Sequence, residues 1–350
     1  MRESSLTYDD VNINPQYSNI NNRKDCNTIT RVTKNIHLEI PLVSSPMDTV
    51  TDYQMCLEMD RLGGMGFLHR FHNPNVVEDK IKHFRKERPQ GTIGASIGVK
   101  GNHIESAQRY VDAGAQIILI DVAHGHHKLV KEAIRRLKNE VKGTFDVLVG
   151  NVATKEAAKD LCEWGADGLR IGIGGGSLCS TRMQTGVGVP MVSSILSCVT
   201  VADGYDVPCM ADGGVRSPGD VCKGLAAGAN TVMLGSLLSG TKETPGEITK
   251  TGQWPNEVLQ KKYRGSASLD SKLDREESKY VEGYSTTVPY KGKVKRIIYD
   301  IMDGVRSSMS YVGAGNILEF QAKAEFIKVT PNGLSEAKPH LLTSSHKILT

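Results

Sequence analysis

The chain has 350 residues, of which 39% are hydrophobic and 23% charged, and its formal net charge is +4. This composition indicates a globular protein, and so mild a charge gives no reason to expect a nucleic-acid partner. Seven cysteines without a CxxC pair, a start (MRESSLTYDD) without a signal-sequence pattern and the absence of a long apolar run predict a cytoplasmic protein without a membrane partner.

Eight short apolar runs recur along the chain, each followed by glycine or polar residues. They lie at 40–45, 65–69, 92–98, 117–123, 147–153, 167–174, 207–212 and 231–237. Unalternating runs of this length are typical of parallel strands buried on both faces. Helix signals separate them, such as the capping Thr154, the Ser217-Pro218 start and the Gly-Ala endings. The pattern predicts an α/β fold, a (β/α)8 TIM barrel, with a doubly wound open sheet as the alternative.

Two stretches lie outside this repeat. Residues 241–289 are charged and rich in turn residues, and long loops of this kind usually form lids or binding loops. We therefore expect a flap there, after strand 8. Residues 331–350 are expected to form an extended, exposed C-terminal tail. Nothing indicates a second folded domain, so residues 1–350 are predicted to be a single barrel domain.

The segment GIGGGSLCSTRMQTGVGVP, at 172–190, holds Cys179 between glycines and Arg182. So many glycines disfavour a helix or strand interior and predict a mobile loop that brings a thiol close to a ligand. A thiol in a polar loop near an arginine can act as a nucleophile. The alternative is a half-buried cysteine with no chemical role.

Polar residues follow the apolar runs where the strands of a barrel end, which is the rim that carries active sites. Asp121 lies near the end of run four and Asn151 near the end of run five, although either residue could simply be a turn or cap. Glycine-rich turns at 211–214 and 235–236 offer backbone N–H groups to an anion, with Ser177 adding a hydroxyl. They predict a phosphorylated substrate, unless these turns exist only for tight packing.

Several motifs together identify a resemblance. They are LTYDDV (6–11), PLVSSPMDTVT (41–51), DVAHGH (121–126), GNVAT (150–154), the cysteine loop, ADGG (211–214), VMLGSLLSGTKETPGE (232–247), VPYKG (288–292) and RSSMSYVGA (306–314). The chain resembles the IMP dehydrogenase/GMP reductase family over nearly its whole length. The resemblance implies a TIM barrel, a homotetramer or octamer, a purine 5′-monophosphate (GMP or IMP) as substrate and a nicotinamide cofactor. It is a short form, because only a brief connection stands where many dehydrogenases carry a regulatory CBS insertion.

The resemblance also implies roles for individual residues. Cys179 corresponds to the nucleophile that attacks purine C2, and Thr181 and Glu282 to the groups that move protons there. Asp121 and Asn151 correspond to the cofactor-facing pair. The carbonyls of Gly174, Gly176 and Cys179 match a loop that binds a monovalent cation, K+, in many dehydrogenases. The implied substrate contacts are Ser45, Met47, Ser177, Asp212, Gly214, Gly235, Ser236, Tyr263, Gly265, Ser266 and Gly283.

The choice of reaction depends on the flap. Dehydrogenases of this family activate water with an Arg-Tyr pair, which is missing between Gly265 and Val288, and Lys279 resembles a reductase residue. We therefore expect GMP reductase activity with NADPH. The alternative is IMP dehydrogenase activity with NAD, in which Lys272, Arg275 or Tyr280 would activate water; dehydrogenase-like motifs such as NGLSEAKPH favour it. A more distant alternative is a catalytically silent nucleotide-binding barrel. Gly175 and Ser266 depart from the usual proline and methionine.

Overall fold

Eight parallel strands close into a barrel in the computed structural model, which describes residues 5–253, 255–273 and 282–337. Each strand pairs with its neighbours in sequence, and β8 pairs with β1 through Val232 and Leu42. The predicted TIM barrel is confirmed, and the open-sheet alternative is wrong because this last pairing leaves no edge. The strands are β1 (Leu42–Ser44), β2 (Met65–Leu68), β3 (Ile93–Ile97), β4 (Ile117–Asp121), β5 (Asp146–Val152), β6 (Gly168–Ile171), β7 (Cys209–Asp212) and β8 (Thr231–Leu234).

Eight helices surround the strands: α1 (Tyr53–Arg61), α2 (Pro74–Glu87), α3 (His103–Asp112), α4 (Lys128–Glu140), α5 (Lys155–Glu163), α6 (Met191–Ala202), α7 (Pro218–Ala226) and α8 (Val294–Val312). Their starts follow the capping rules: Thr154 Oγ1 accepts the Ala157 N–H at 3.3 Å, and Ser217 forms a capping box with Asp220. Helix α4 buries Val130 and Ile134 on one face. Among the described residues, no helix combines the length and apolarity that crossing a bilayer requires.

The inside of the barrel is filled by side chains. Phe67 and Leu119 belong to a buried apolar cluster with Val43, Met65, Ile117, Leu148, Met210 and Met233. A Cβ at Gly94 would lie 2.3 Å from the Phe67 ring, so a glycine there makes room for the aromatic side chain. Because the interior is packed, a ligand must bind at the rim rather than inside the barrel.

Shorter elements lie outside the barrel. Strand Val11–Ile13 pairs antiparallel with Phe326–Lys328, and Thr30–Arg31 pairs with His37–Leu38. Strands Thr249–Thr251, Val258–Arg264 and Ser285–Pro289 form a three-stranded antiparallel sheet, so much of the segment predicted as an irregular excursion is regular structure. The remaining short helices are Tyr8–Asp10, Arg23–Asp25, Thr181–Thr185, Asp203–Tyr205, Leu269–Leu273, Ile317–Lys323 and Pro331–Glu336.

The last of these helices corrects one expectation. The tail was predicted to be extended from residue 331, but Pro331–Glu336 is helical. Thr330 explains the helix, because its Oγ1 accepts the Gly333 N–H at 3.2 Å and proline stands at the first helical position. Residues 338–350 lie outside the described part of the chain, as do Arg275, Lys279 and Tyr280, together with the side chain of Lys272.

Candidate active site

A cavity of about 690 Å3 opens at the carboxyl ends of the strands, a volume typical of small-molecule sites. Apart from the water-activating candidates Lys272, Arg275 and Tyr280, the residues for which the sequence predicts a binding or catalytic role line it, although they come from many separate segments. They are Ser45, Met47, Asp121, Asn151, Gly174, Gly176, Ser177, Cys179, Thr181, Asp212, Gly214, Gly235, Ser236, Tyr263, Gly265, Ser266, Glu282 and Gly283.

A chain of hydrogen bonds leads from the thiol to a carboxylate. The Cys179 Sγ donates to Thr181 Oγ1 at 3.2 Å, and Thr181 Oγ1 donates to Glu282 Oε2 at 2.6 Å. Cys179 is exposed to the cavity. The arrangement provides a nucleophile, a hydroxyl relay and a proton acceptor in order, which is the geometry required for general-base activation of a thiol.

The cysteine loop is held by residues 282–284, which belong to the segment 241–289. Ser180 N–H donates to the Glu282 carbonyl at 2.9 Å, and Tyr284 N–H donates to the Leu178 carbonyl at 3.0 Å. Cys179 and Gly283 form an isolated antiparallel bridge. The backbone of these two segments therefore fixes the position of Glu282 relative to the thiol.

Arg182 holds the base of the same loop. Its guanidinium donates to the Ile173 carbonyl at 3.0 Å and to the Val189 carbonyl at 2.5 Å, joining the two ends of the loop. The sequence placed this arginine near the thiol as an activating charge. Its observed partners are instead backbone carbonyls, so it fixes loop geometry.

Arg170 connects both predicted subsites and was missed by sequence reasoning. It is 7% exposed, and it donates to Asp121 Oδ1 at 2.6 Å and to Asp212 Oδ2 at 3.0 Å. Burial lowers the pKa of Arg170, but Asp212 and Asp121 outweigh it and raise the pKa. Asn151 Nδ2 also donates to Asp212 Oδ2, at 2.7 Å. The available signal was an arginine inside the apolar run 167–174, since buried charges need partners.

Glycine turns form another part of the cavity lining. Gly172 and Gly214 have φ values of +137° and +76°, and a Cβ at Gly172 would lie 2.0 Å from the Asp212 carbonyl oxygen. Ser177 Oγ lies 3.0 Å from the Tyr263 hydroxyl, and burial raises the pKa of Tyr263. This wall offers hydroxyls and close backbone approach, which suits an anionic oxygen-rich group.

Comparison with known proteins decides the family. The sequence model of the protein family described as "IMP dehydrogenase / GMP reductase domain" matches residues 5–340. The chain belongs to this family. IMP dehydrogenase from Cryptosporidium parvum is 37% identical over 387 aligned positions, covering 96% of this chain and 94% of that protein. GMP reductase from Leishmania major is 31% identical over 478 positions, covering 96% of each.

A solved structure is similar throughout. A cysteine-to-alanine variant of GMP reductase from Trypanosoma brucei, in complex with guanosine 5′-monophosphate, has a TM-score of 0.90 at 30% identity and covers 98% of this chain and 99% of that one. The alignment with the Leishmania protein spans 478 positions against the 350 residues here, so this chain is a short form of the family. It is a purine nucleotide oxidoreductase of the IMP dehydrogenase/GMP reductase family.

This family member also has a cluster of metal-ligand types beside the site. Asp52, His69 and His72 place ligand atoms within 4.8 Å of one another. Lys80 Nζ lies 2.6 Å from Asp52 Oδ1 and 2.8 Å from His72 Nε2. The Lys80 ammonium therefore contacts two of the three groups, and His69 Nδ1 accepts the Phe71 N–H at 3.2 Å, so the cluster is a hydrogen-bonded network. Burial and His72 lower the pKa of His69 to about 4.

Proposed function

We propose that this protein is a GMP reductase that converts GMP to IMP with NADPH. The missing Arg-Tyr pair between Gly265 and Val288 favours the reductase over the dehydrogenase. The observation that carries the covalent chemistry is the continuous hydrogen-bonded path from Cys179 through Thr181 to Glu282. Releasing ammonia from purine C2 requires a nucleophile and a group that takes and returns a proton, and this path provides both.

The first half of the reaction uses the residues of the path. Cys179 adds to C2 of GMP while its proton passes through Thr181 to Glu282. The proton returns to the leaving amine, the C2–N bond breaks, ammonia departs, and a thioimidate joins C2 to the sulfur. For the second half, bound NADPH would supply the hydride that C2 requires. Release of IMP then requires that the C–S bond break with its electrons remaining on the Cys179 sulfur. One proton from solvent restores the thiol.

The remaining cavity residues position the two ligands. Asp212 and the Gly214, Gly235 and Ser236 turns suit the ribose and 5′-phosphate, with Ser177 and Tyr263 adding hydroxyls. The part of the cavity lining assigned to the purine base consists of Ser45, Met47, Gly265, Ser266 and Gly283. Asp121 and Asn151 would hold the nicotinamide cofactor, and Arg170 holds the Asp121 carboxylate in place.

Potassium fits the loop only in part. The carbonyls of Gly174, Gly176 and Cys179 are oxygen donors of the right type, but the Gly176 carbonyl also accepts the Cys179 N–H at 3.1 Å. Three carbonyls leave most of a potassium shell to other oxygens, so we expect K+ to modulate the rate rather than to be required.

The second candidate is IMP dehydrogenase, favoured by the 37% identity with the Cryptosporidium enzyme. That reaction oxidises IMP with NAD and then needs water to attack the thioimidate. The same Thr181–Glu282 pair could accept a proton from that water. The flap residues considered for this task, Arg275 and Tyr280, lie outside the described residues.

Absorbance at 340 nm separates the two reactions. GMP with NADPH should give continuous loss of absorbance and one ammonia per IMP. IMP with NAD should give at most a burst near one NADH per active site, because the Arg-Tyr pair that activates water in the dehydrogenases is missing between Gly265 and Val288. Multiple-turnover formation of XMP at about 1 per second, an ordinary enzyme rate, would overturn the reductase proposal. Binding of both nucleotides without turnover would indicate the silent barrel.

Two structural expectations accompany this function. We propose that residues 241–289 act as a flap over the cavity, since strand Val258–Arg264 leads into the wall at Gly265. We also expect a homotetramer or octamer, which light scattering of the purified protein would measure.

A further inference from the structure

Two lysine ammonium groups each bind backbone carbonyls of the segment that follows β8. Lys291 Nζ donates to the Ser236 carbonyl at 3.0 Å and to the Leu237 carbonyl at 3.2 Å. Lys261 Nζ donates to the Thr241 carbonyl at 3.2 Å and to the Thr244 carbonyl at 2.5 Å. Within the described residues, neither ammonium lies within ion-pair distance of a carboxylate.

The two lysines differ in what they hold. Ser236 lines the cavity, whereas Thr241 and Thr244 do not. Ser236 starts a helical turn in which the Leu238 and Ser239 N–H groups donate to the Gly235 carbonyl, at 3.1 and 3.0 Å. The first N–H groups of such a turn have no acceptor within it, and they point opposite to its carbonyls. Lys291 therefore lies on the carbonyl side of this turn, and Gly235 and Ser236 at the start of the turn line the cavity.

A half-buried ammonium without a carboxylate is unusual, because removing a charge from water costs free energy unless an opposite charge compensates. Burial alone lowers the pKa of Lys291. Ser239 Oγ already donates to the Ser236 carbonyl at 2.7 Å, so a charge is not needed merely to satisfy that oxygen. An anion bound on the other side of the turn would supply the missing counter-charge.

We propose that Lys291 is a positioning residue for the 5′-phosphate of the nucleotide. Its ammonium fixes the carbonyls of Ser236 and Leu237, aims the turn's N–H groups at the phosphate, and places positive charge behind them. This inference rests on the proposed function in one respect, namely that the ligand carries its phosphate at the Gly235–Ser236 turn.

The test compares nucleotide with nucleoside. Dissociation constants for GMP and guanosine are measured by calorimetry for the wild type, Lys291→Met and Lys261→Met. In Lys291→Met we expect GMP to bind at least tenfold more weakly and guanosine to change less than twofold. The matched control Lys261→Met loses a similar carbonyl-bound ammonium and should keep the wild-type ratio of the two constants. Lys291→Arg retains the charge, so its ratio of the guanosine and GMP dissociation constants should stay within about threefold of the wild-type ratio.

The outcomes are distinct. Equal weakening of GMP and guanosine in Lys291→Met, or the same change of ratio in Lys261→Met, would overturn the inference and leave a structural role only. If the methionine variant does not fold, Lys291→Gln keeps a donor without the charge, and the same ratio decides. A wild type that binds guanosine as tightly as GMP would instead contradict the phosphate site of the proposed function, before Lys291 is considered.

Discussion

Thr181 and Glu282 are 101 positions apart in sequence, yet the Thr181 hydroxyl donates to the Glu282 carboxylate at 2.6 Å. The same hydroxyl accepts from the Cys179 thiol. The threonine is therefore oriented from both sides, with its proton directed at the carboxylate and a lone pair at the thiol. A proton can move along this path without any side chain changing position.

Replacing Glu282 by glutamine should slow turnover with little effect on binding, because an amide cannot take the proton from Thr181. General acid–base catalysis contributes about 10²–10⁴-fold, so we expect kcat with GMP and NADPH to fall at least about 100-fold. The GMP dissociation constant should stay within about threefold. Glu257→Gln is the control, since Glu257 pairs with Lys250 at the surface. An unchanged kcat in Glu282→Gln would remove Glu282 from the mechanism.

Cys179→Ala should abolish turnover while GMP still binds. Iodoacetamide should modify the wild type once, at Cys179, because the other six cysteines are buried. Burial raises the pKa of Cys198 to about 12 and the pKa of Cys162 to about 11, which keeps these thiols protonated. Mass spectrometry measures the modification, and GMP should slow it. Residual activity of Cys179→Ala above about a tenth of wild type would exclude covalent catalysis through this thiol.

Arg182→Met should separate loop geometry from folding. The variant loses the bonds that join the Ile173 and Val189 carbonyls, and charge-assisted hydrogen bonds contribute about 1.5–3 kcal/mol each. A misplaced thiol that raises the activation free energy by about 2 kcal/mol would lower kcat about 30-fold. Arg136→Met, which removes a surface pair with Glu140, is the control and should retain full activity. Equal activity of both variants would show that catalysis does not need the Arg182 hydrogen bonds to the Ile173 and Val189 carbonyls.

His69 should make stability depend on pH. Its pKa is about 4 in the folded protein, mainly because of burial, against about 6.5 unfolded. Between these values the unfolded chain binds a proton that the folded protein does not, so stability falls as pH decreases through this window and levels off below it. From pH 7 to pH 5 the loss attributable to His69 is about 2 kcal/mol. Urea unfolding of the wild type and His69→Gln measures it, and parallel pH profiles would contradict it.

The barrel was predictable because each strand is buried on both faces, which leaves an unbroken apolar run in sequence. The rim was predictable for the same reason, since the end of a run marks the end of a strand. The sheet containing Val258–Arg264 was not, because its exposed residues carry no apolar run and its partner Ser285–Pro289 lies at the far end of the same polar segment. The helix Pro331–Glu336 had a readable signal, Thr330-Pro331, similar to Ser217-Pro218.

Within the site, residue types were easier to predict than partners. Asp121 and Asp212 could each be placed at the rim, but their shared contact with Arg170 depends on how closely the barrel brings together the carboxyl ends of β4, β6 and β7. The contacts of Lys291 could not be predicted from the sequence. Its acceptors are backbone carbonyls, which every residue has, so no residue type marks them.

The pairing of Val11–Ile13 with Phe326–Lys328 has a consequence for how the chain is made. The first strand leaves the ribosome early, but the strand that completes it is synthesised near the end. At about 5–20 residues per second, tens of seconds separate the two events. During that interval the backbone N–H and C=O groups of the first strand are open to other extended chains. Chaperone demand during translation should therefore be greatest before residue 328 emerges.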